Sequence, residues 1–235
     1  IMDGHTGIEH NVPIQTLYND VVSLWSKTKT HYTPTLIVAY GAMNGENYWY
    51  QHTNVWEEKR LLNFTPRSVI DPRSRHRTMI PEEEYENGHI AIAKHCKKLS
   101  DAGVKVNLGA HGQIQGIGAH WEMWMLAQGG MSSLEALRCA TQNGADYLGM
   151  GDQIGSIEAG KLADLVVIDG DVLKDIRSSK NITHTMINGV LYDANSMDQM
   201  NGSGKKRTPF YWELPGCQDS GTLHHGSQSK CSCRH

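Results

Sequence analysis

The chain has 235 residues, with 22 Lys plus Arg against 25 Asp plus Glu, so its net charge is −3. Hydrophobic residues make up 39% of it, a globular composition that excludes a disordered chain. The near-balanced charge argues against nucleic acid as a main partner, and no apolar run approaches the ~18 residues of a membrane-spanning helix. The chain opens on Ile1 with no basic-then-apolar leader. We read it as a piece whose start is missing, which leaves cytoplasmic and exported settings both open.

Ile14, Leu17, Tyr18, Val21, Val22 and Trp25 recur at spacings of three and four, predicting an amphipathic helix over 14–29. Tyr32 to Tyr40 is short and apolar and is bounded by Gly41, which predicts a buried strand. Residues 41–80 show no sustained period and read as a long ordered loop. Pro81, followed by three glutamates, opens a second helix that runs to about Ser100 before Gly103. Val104 to Gly109 reads as another short strand. Helices alternating with strands point to a parallel α/β sheet or barrel.

His120 to Gln128 reads as a helix that stops at Gly129-Gly130, its Trp/Met stripe serving as core. Ser132 and Glu135 form a capping-box pattern for a further helix to about Gly149. Past Gly151 the texture changes. A Gly160-Lys161 turn precedes the strand-like Leu165 to Ile168, and Met186 to Tyr192 reads as a hairpin turning on Asn188-Gly189. The expected organisation is an α/β part over 1–150, a small β segment over 151–195 and a loose tail over 196–235. Cys96 and Cys139 read as small buried hydrophobes. Cys217, His224, His225, Cys231, Cys233 and His235 lie in the tail without paired C-x-x-C knuckles, so metal binding there is the weaker reading.

Parallel α/β folds place active sites at the C-terminal ends of their strands. His10 follows Gly7-Ile8-Glu9, and His111 follows Val106 to Ala110. A neutral imidazole at such a junction can ligate a divalent metal or act as a base near neutral pH. The alternative for each is an ordinary hydrogen bond to backbone.

The run Gly155-Ser156-Ile157-Glu158-Ala159-Gly160-Lys161-Leu162-Ala163-Asp164-Leu165-Val166-Val167-Ile168-Asp169 resembles the C-terminal signature of the amidohydrolase superfamily. Ser133 to Leu137 with Ala140-Thr141 resembles the helix before that signature. Gly7-Ile8-Glu9-His10 resembles the end of the sixth barrel strand, Pro34-Thr35-Leu36 the seventh, and Leu108 to Gly112 the eighth. The nearest flavour is the imidazolonepropionase/prolidase-like branch, particularly the domains related to TolB-like, propeller-fused proteins.

The resemblance covers roughly residues 1–195. It implies the last units of a (β/α)8 barrel followed by part of a small β-sandwich. It also implies a divalent metal, zinc first and iron or manganese as alternatives, and hydrolysis of a C–N bond of a small-molecule substrate. His10 is then a metal ligand, and His111 a ligand or the catalytic base. Here the sequence departs from the family, which usually ends its eighth strand with Asp. A catalytically inactive scaffold or binding domain is the rival reading.

The family's first-strand His-x-His pair, bridging Lys or Glu, and fifth-strand His have no counterpart here. The missing N-terminal part of the same protein is therefore an expected partner, and a homo-oligomer is left open. The loop leaving the seventh strand carries Tyr48, Trp49 and Tyr50, read as substrate contacts or as packing over the rim. His120 is a further candidate for substrate contact, with helix capping as its alternative. Arg67, Arg73, Arg75 and Arg77 read as a solvated face, with recognition of a substrate carboxylate as the alternative.

Overall fold

In the computed structural model, residues 1–75 and 79–215 are described. Arg77 and the cysteines and histidines from Cys217 onward lie outside them. The first part of the chain runs β1 (Gly7–Glu9), α1 (Asn19–Ser26), β2 (His31–Thr33), α2 (Gly45–His52), α3 (Lys59–Phe64) and α4 (Arg67–Ser74). It continues through α5 (Glu82–Glu86), α6 (His89–Asp101), α7 (Ile117–Gln128), α8 (Ser133–Ala140) and α9 (Gln142–Tyr147). The second part holds β3 (Leu165–Ile168), β4 (Ile182–Ile187) and β5 (Val190–Asp193).

Strands β1 and β2 pair in parallel, with Ile8 opposite Tyr32. A third parallel segment lies beyond β2. Tyr32 N–H donates to the Lys105 carbonyl at 2.9 Å, and Asn107 N–H donates to the Tyr32 carbonyl at 2.7 Å. Successive side chains alternate between the two faces. Ile8, Tyr32 and Val106 pack into the helical core. On the other face runs a polar line: Thr33 Oγ1 donates to Glu9 Oε1 at 3.2 Å, Asn107 Nδ2 donates to Thr33 Oγ1 at 3.3 Å, and His31 Nδ1 meets Asn107 Oδ1 at 3.1 Å.

The core centres on indoles. Trp49 lies parallel to Trp121 with centroids 6.4 Å apart and edge-on to Trp124 at 5.1 Å. Trp25, Leu36, Ile37 and Met125 are buried in the same cluster. The second part is a separate antiparallel sheet in the order β3-β4-β5. Its hairpin turns on Asn188 (φ 48°) and Gly189 (φ 79°), the two left-handed residues of a type I′ turn. Within residues 196–215, which composition assigns to the tail, residues 198–200 return along β5. Met200 N–H donates to the Leu191 carbonyl, and Arg207 grips Glu213 through two nitrogens.

Several expectations need correction. The first helix begins at Asn19, not Ile14. Ile14 and Leu17 reach the core from an irregular approach, so the apolar spacing outruns the helix. The strand expected to reach Tyr40 ends at Thr33, because Pro34 has no N–H for a ladder. Leu36–Val38 then form a buried 3-10 turn. The 41–80 loop holds α2, α3 and α4 instead. Each has only six to eight residues, too short to show a period, and Pro72 interrupts the last. The helix after Pro81 splits at Gly88, where a Cβ would come within 2.6 Å of the Glu84 carbonyl oxygen. The one expected after Ser132 splits at Thr141, although its capping box forms as read.

Candidate active site at the ends of three parallel segments

The three parallel segments end alike. His10 (φ 66°), Thr35 (φ 55°) and His111 (φ 54°) all adopt left-handed backbone, a strained state for residues with a Cβ. Each turn swings the chain off its strand and onto the rim. The ends also approach closely. A Cβ on Gly109 would fall 2.6 Å from Thr33 Cγ2 and 2.8 Å from Thr35 Oγ1, so only glycine lets the third segment close onto β2 there.

This geometry brings His10 and His111 together across 101 positions of sequence. Their ring centroids are 5.4 Å apart with an interplanar angle of 61°. His10 is half-buried and His111 exposed. The other side of the His10 ring meets the Tyr40 ring edge-on at 4.7 Å. Asn11 holds that neighbour in place: its Nδ2 donates to the Tyr40 carbonyl, and its Oδ1 accepts from Tyr40 N–H.

The Nδ1 of His10 is buried without a hydrogen-bond partner. A buried polar atom left unsatisfied is costly, and such atoms call for an explanation such as an ion. Zn–N bonds of about 2.0–2.1 Å place the centroids of two imidazoles sharing one ion roughly 5–6 Å apart. The pair fits two ligands of a metal on both counts. Among the described residues, no cluster of three or more His, Cys, Asp or Glu side chains suits a metal.

Around this pair lie groups that the sequence did not single out. Gln113 Nε2 donates to Glu46 Oε1 at 3.2 Å, and Gln113 Oε1 lies 3.5 Å from His111 Nδ1. Burial raises the Glu46 carboxyl above its ordinary range, while Gln113, Arg73 and His111 pull it back. Arg73 donates to the Gln113 carbonyl while staying exposed, as are Arg67 and Arg75, in keeping with a solvated face. Arg67 and Arg75 flank Asp71 at 3.6 and 3.4 Å.

Glu122 is the other unread residue. It is fully buried, and its two carboxylate oxygens accept from Leu36 N–H at 2.7 Å and Ile37 N–H at 2.9 Å. Burial pushes its carboxyl up to about 8 against the pull of those donors. It fixes the turn that follows Thr35. A lone acid inside the otherwise apolar stretch of α7 was the available signal.

The aromatic run does not form a loop over the rim. Trp49 is 0% exposed and Tyr50 7%, both within the core. Tyr48 stacks on His52 at 4.1 Å and packs beside Tyr85. These residues lie on α2, which packs against α7, so their rings go to packing. His120 hydrogen-bonds through Nδ1 to Ser179 Oγ at 3.0 Å and lines a different cavity. Cys96 and Cys139 are free and buried, as read. No helix among the described residues is long and apolar enough to cross a membrane.

Comparison with known proteins follows the same lines. The profile of the amidohydrolase family matches residues 3–192. An ochratoxinase of Aspergillus niger is 28% identical over 165 residues, which are 65% of this chain and 34% of that protein. An imidazolonepropionase of Syntrophobacter fumaroxidans is 51% identical over 41 residues, covering 17% of this chain and 10% of its own. Among solved structures, a Xaa-Pro dipeptidase with methionine bound in its active site superposes with a TM-score of 0.52 and 26% identity. That match covers 80% of this chain and 39% of the dipeptidase. The chain thus spans well under half the length of these relatives.

Proposed function

The chain belongs to the amidohydrolase family, and we propose that it forms part of a metal-dependent hydrolase acting on a C–N bond. The bond is a non-peptide amide, a cyclic amide or a dipeptide-like linkage in a small molecule. One observation carries this reading: His10 and His111 face each other at 5.4 Å on the rim, and His10 keeps a buried, unpartnered Nδ1.

In this reading His10 would hold the metal, and His111 would be either a second ligand or the base. A bound divalent cation, zinc by preference, supplies a water acidified to a pKa of about 7 and a polarised carbonyl. As the base and not a ligand, His111, the more exposed of the two, would take the proton of the attacking water and return it to the departing nitrogen. His10 keeps a fixed place, wedged between Tyr40 and His111. Two imidazoles do not complete a zinc shell of four. The remaining ligands are to be sought beyond the described residues. Residues 1–150 are then the C-terminal part of a (β/α)8 barrel, and 151–195 a segment of the sandwich beside it.

The test is metal content and turnover of the full-length protein purified without chelators. One divalent ion per site is expected, with at least tenfold weaker retention in His10→Ala. His111→Ala should lose most amide hydrolysis with unchanged thermal stability. A full-length protein that holds no stoichiometric divalent ion would sink this reading. It would favour the inactive scaffold, for which His111 in place of the family's usual Asp is the supporting feature.

A further inference from the structure

Away from the paired histidines, a cavity of about 830 Å³ opens between α3, the start of α7 and the start of β4. That size suits a small-molecule site. Neither His10 nor His111 lines it. Part of its lining is apolar and aromatic: Leu61, Phe64, Ile117, Ile182, Phe210 and Trp212. Phe210 stacks on Trp212 at 4.5 Å, and Phe64 meets Phe210 edge-on at 6.3 Å.

The lining also carries three cations, Lys59, Arg60 and Lys180, against two acids, Glu57 and Glu58. Lys180 pairs with Glu58, and Glu57 accepts from Asn54. Arg60 is held by neutral acceptors: its Nε donates to Asn195 Oδ1 at 3.1 Å and its Nη1 to the Lys180 carbonyl at 2.9 Å. Among the described residues, no carboxylate forms an ion pair with Arg60. Its guanidinium is therefore fixed in place, with Nη2 spare and its charge unanswered.

His120 supplies a second donor, and its tautomer follows from its neighbours. Trp124 Nε1–H donates to Ser179 Oγ at 3.0 Å, and the buried Ser179 hydroxyl needs an acceptor of its own. His120 Nδ1, 3.0 Å away, is that acceptor. The ring proton is then on Nε2. Burial and the nearby charges of Arg60 and Lys180 hold His120 neutral, down to about 4.

We propose that this cavity binds an aromatic monocarboxylate, its ring against Phe64, Phe210 and Trp212 and its carboxylate on Arg60 and His120 Nε2–H. A charged acceptor answers both donors, and charge-assisted hydrogen bonds are the strong ones. The site stands apart from the hydrolase reading and does not depend on it.

Calorimetric titration of the full chain with phenylacetate, 2-phenylethanol and acetate tests the assignment. Phenylacetate should bind saturably at one site, and the uncharged alcohol and the ringless acetate each at least about tenfold more weakly. Arg60→Gln and His120→Ala should each weaken phenylacetate about tenfold or more while leaving the alcohol unaffected. His111→Ala should leave phenylacetate binding unchanged. Comparing ligands on the unaltered chain keeps the test independent of how the variants fold. Equal affinity for the alcohol, absence of saturable phenylacetate binding, or its loss in His111→Ala would each overturn the proposal.

Discussion

Strands β1 and β2 pair over three residues each, beneath helices, whereas β3 to β5 run four to six residues in a thinly covered sheet. In β3, Val166 is 56% and Val167 48% exposed, and Ile187 at the end of β4 is 63% exposed. The parallel region is held by what lies on it. Indoles fill one side, and a polar line from Glu9 to Asn107 ties the other. The antiparallel region is held by its own ladder and turn. Burial stabilises the first and local chemistry the second, so the two should fail under different substitutions.

The largest effect should come from the buried indoles. Trp121→Ala should cost about 3–5 kcal/mol, read as a fall in the denaturant midpoint, because it empties the stack between Trp49 and Tyr50. A loss under about 1 kcal/mol would show that the parallel region does not depend on this packing.

Glu122→Ala comes next. It orphans the buried Leu36 and Ile37 N–H groups and should cost about 2–4 kcal/mol. Hydrogen exchange at those two amides should accelerate in step with the lost stability. Unchanged protection there would break the link between α7 and the rim.

In the antiparallel region, Gly189→Ala should cost about 1–2 kcal/mol, because its φ of 79° is unfavourable for a residue with a Cβ. Chemical shifts of β4 and β5 should move while those of the parallel segments stay still. Movement in both regions would argue that the two are one packing unit.

A pH profile between about 4 and 8 tests the helical region in another way. His89 and His120 are pushed down from 6.5 to about 4 by burial, so the unfolded chain binds more protons between those values and stability rises with pH. Glu122 is pushed up from 4.5 to about 8, so the folded chain binds more protons there and stability falls with rising pH. Their sum is a rise to about pH 6.5 and a decline toward 8. Glu122→Gln should remove the decline, measured as Tm against pH. A decline that survives the substitution belongs to some other group.

The same contrast explains what could be read in advance. The Asn188-Gly189 turn and the Ser132/Glu135 box act over two to four residues, and both form as the residues predict. Pro34 marks the end of β2 in the sequence, but the form of the buried apolar run after it was not legible, because such a run reads alike as strand or 3-10 turn. What settles it is Glu122, a partner 86 positions away. The short helices α2 to α4 hid for want of length. At the site, the resemblance suggested that His10 and His111 share one mouth, and their rings are neighbours. Their left-handed backbones carried no sequence mark, since a lone histidine does not by itself announce such a conformation. Glu46 and Gln113 join the rim only through contact across the fold.

Gly109 leaves one further consequence, for descent with modification. A side chain there would collide with Thr33 and Thr35. Innovation at the third rim is therefore channelled into Ala110, His111 and the residues after them. A lineage exchanging the imidazole at 111 for a carboxylate could keep its neighbours, since the exchange would not alter the gap that glycine preserves. The side chain at 111 can be exchanged without disturbing this packing, while the clearance at 109 cannot be filled.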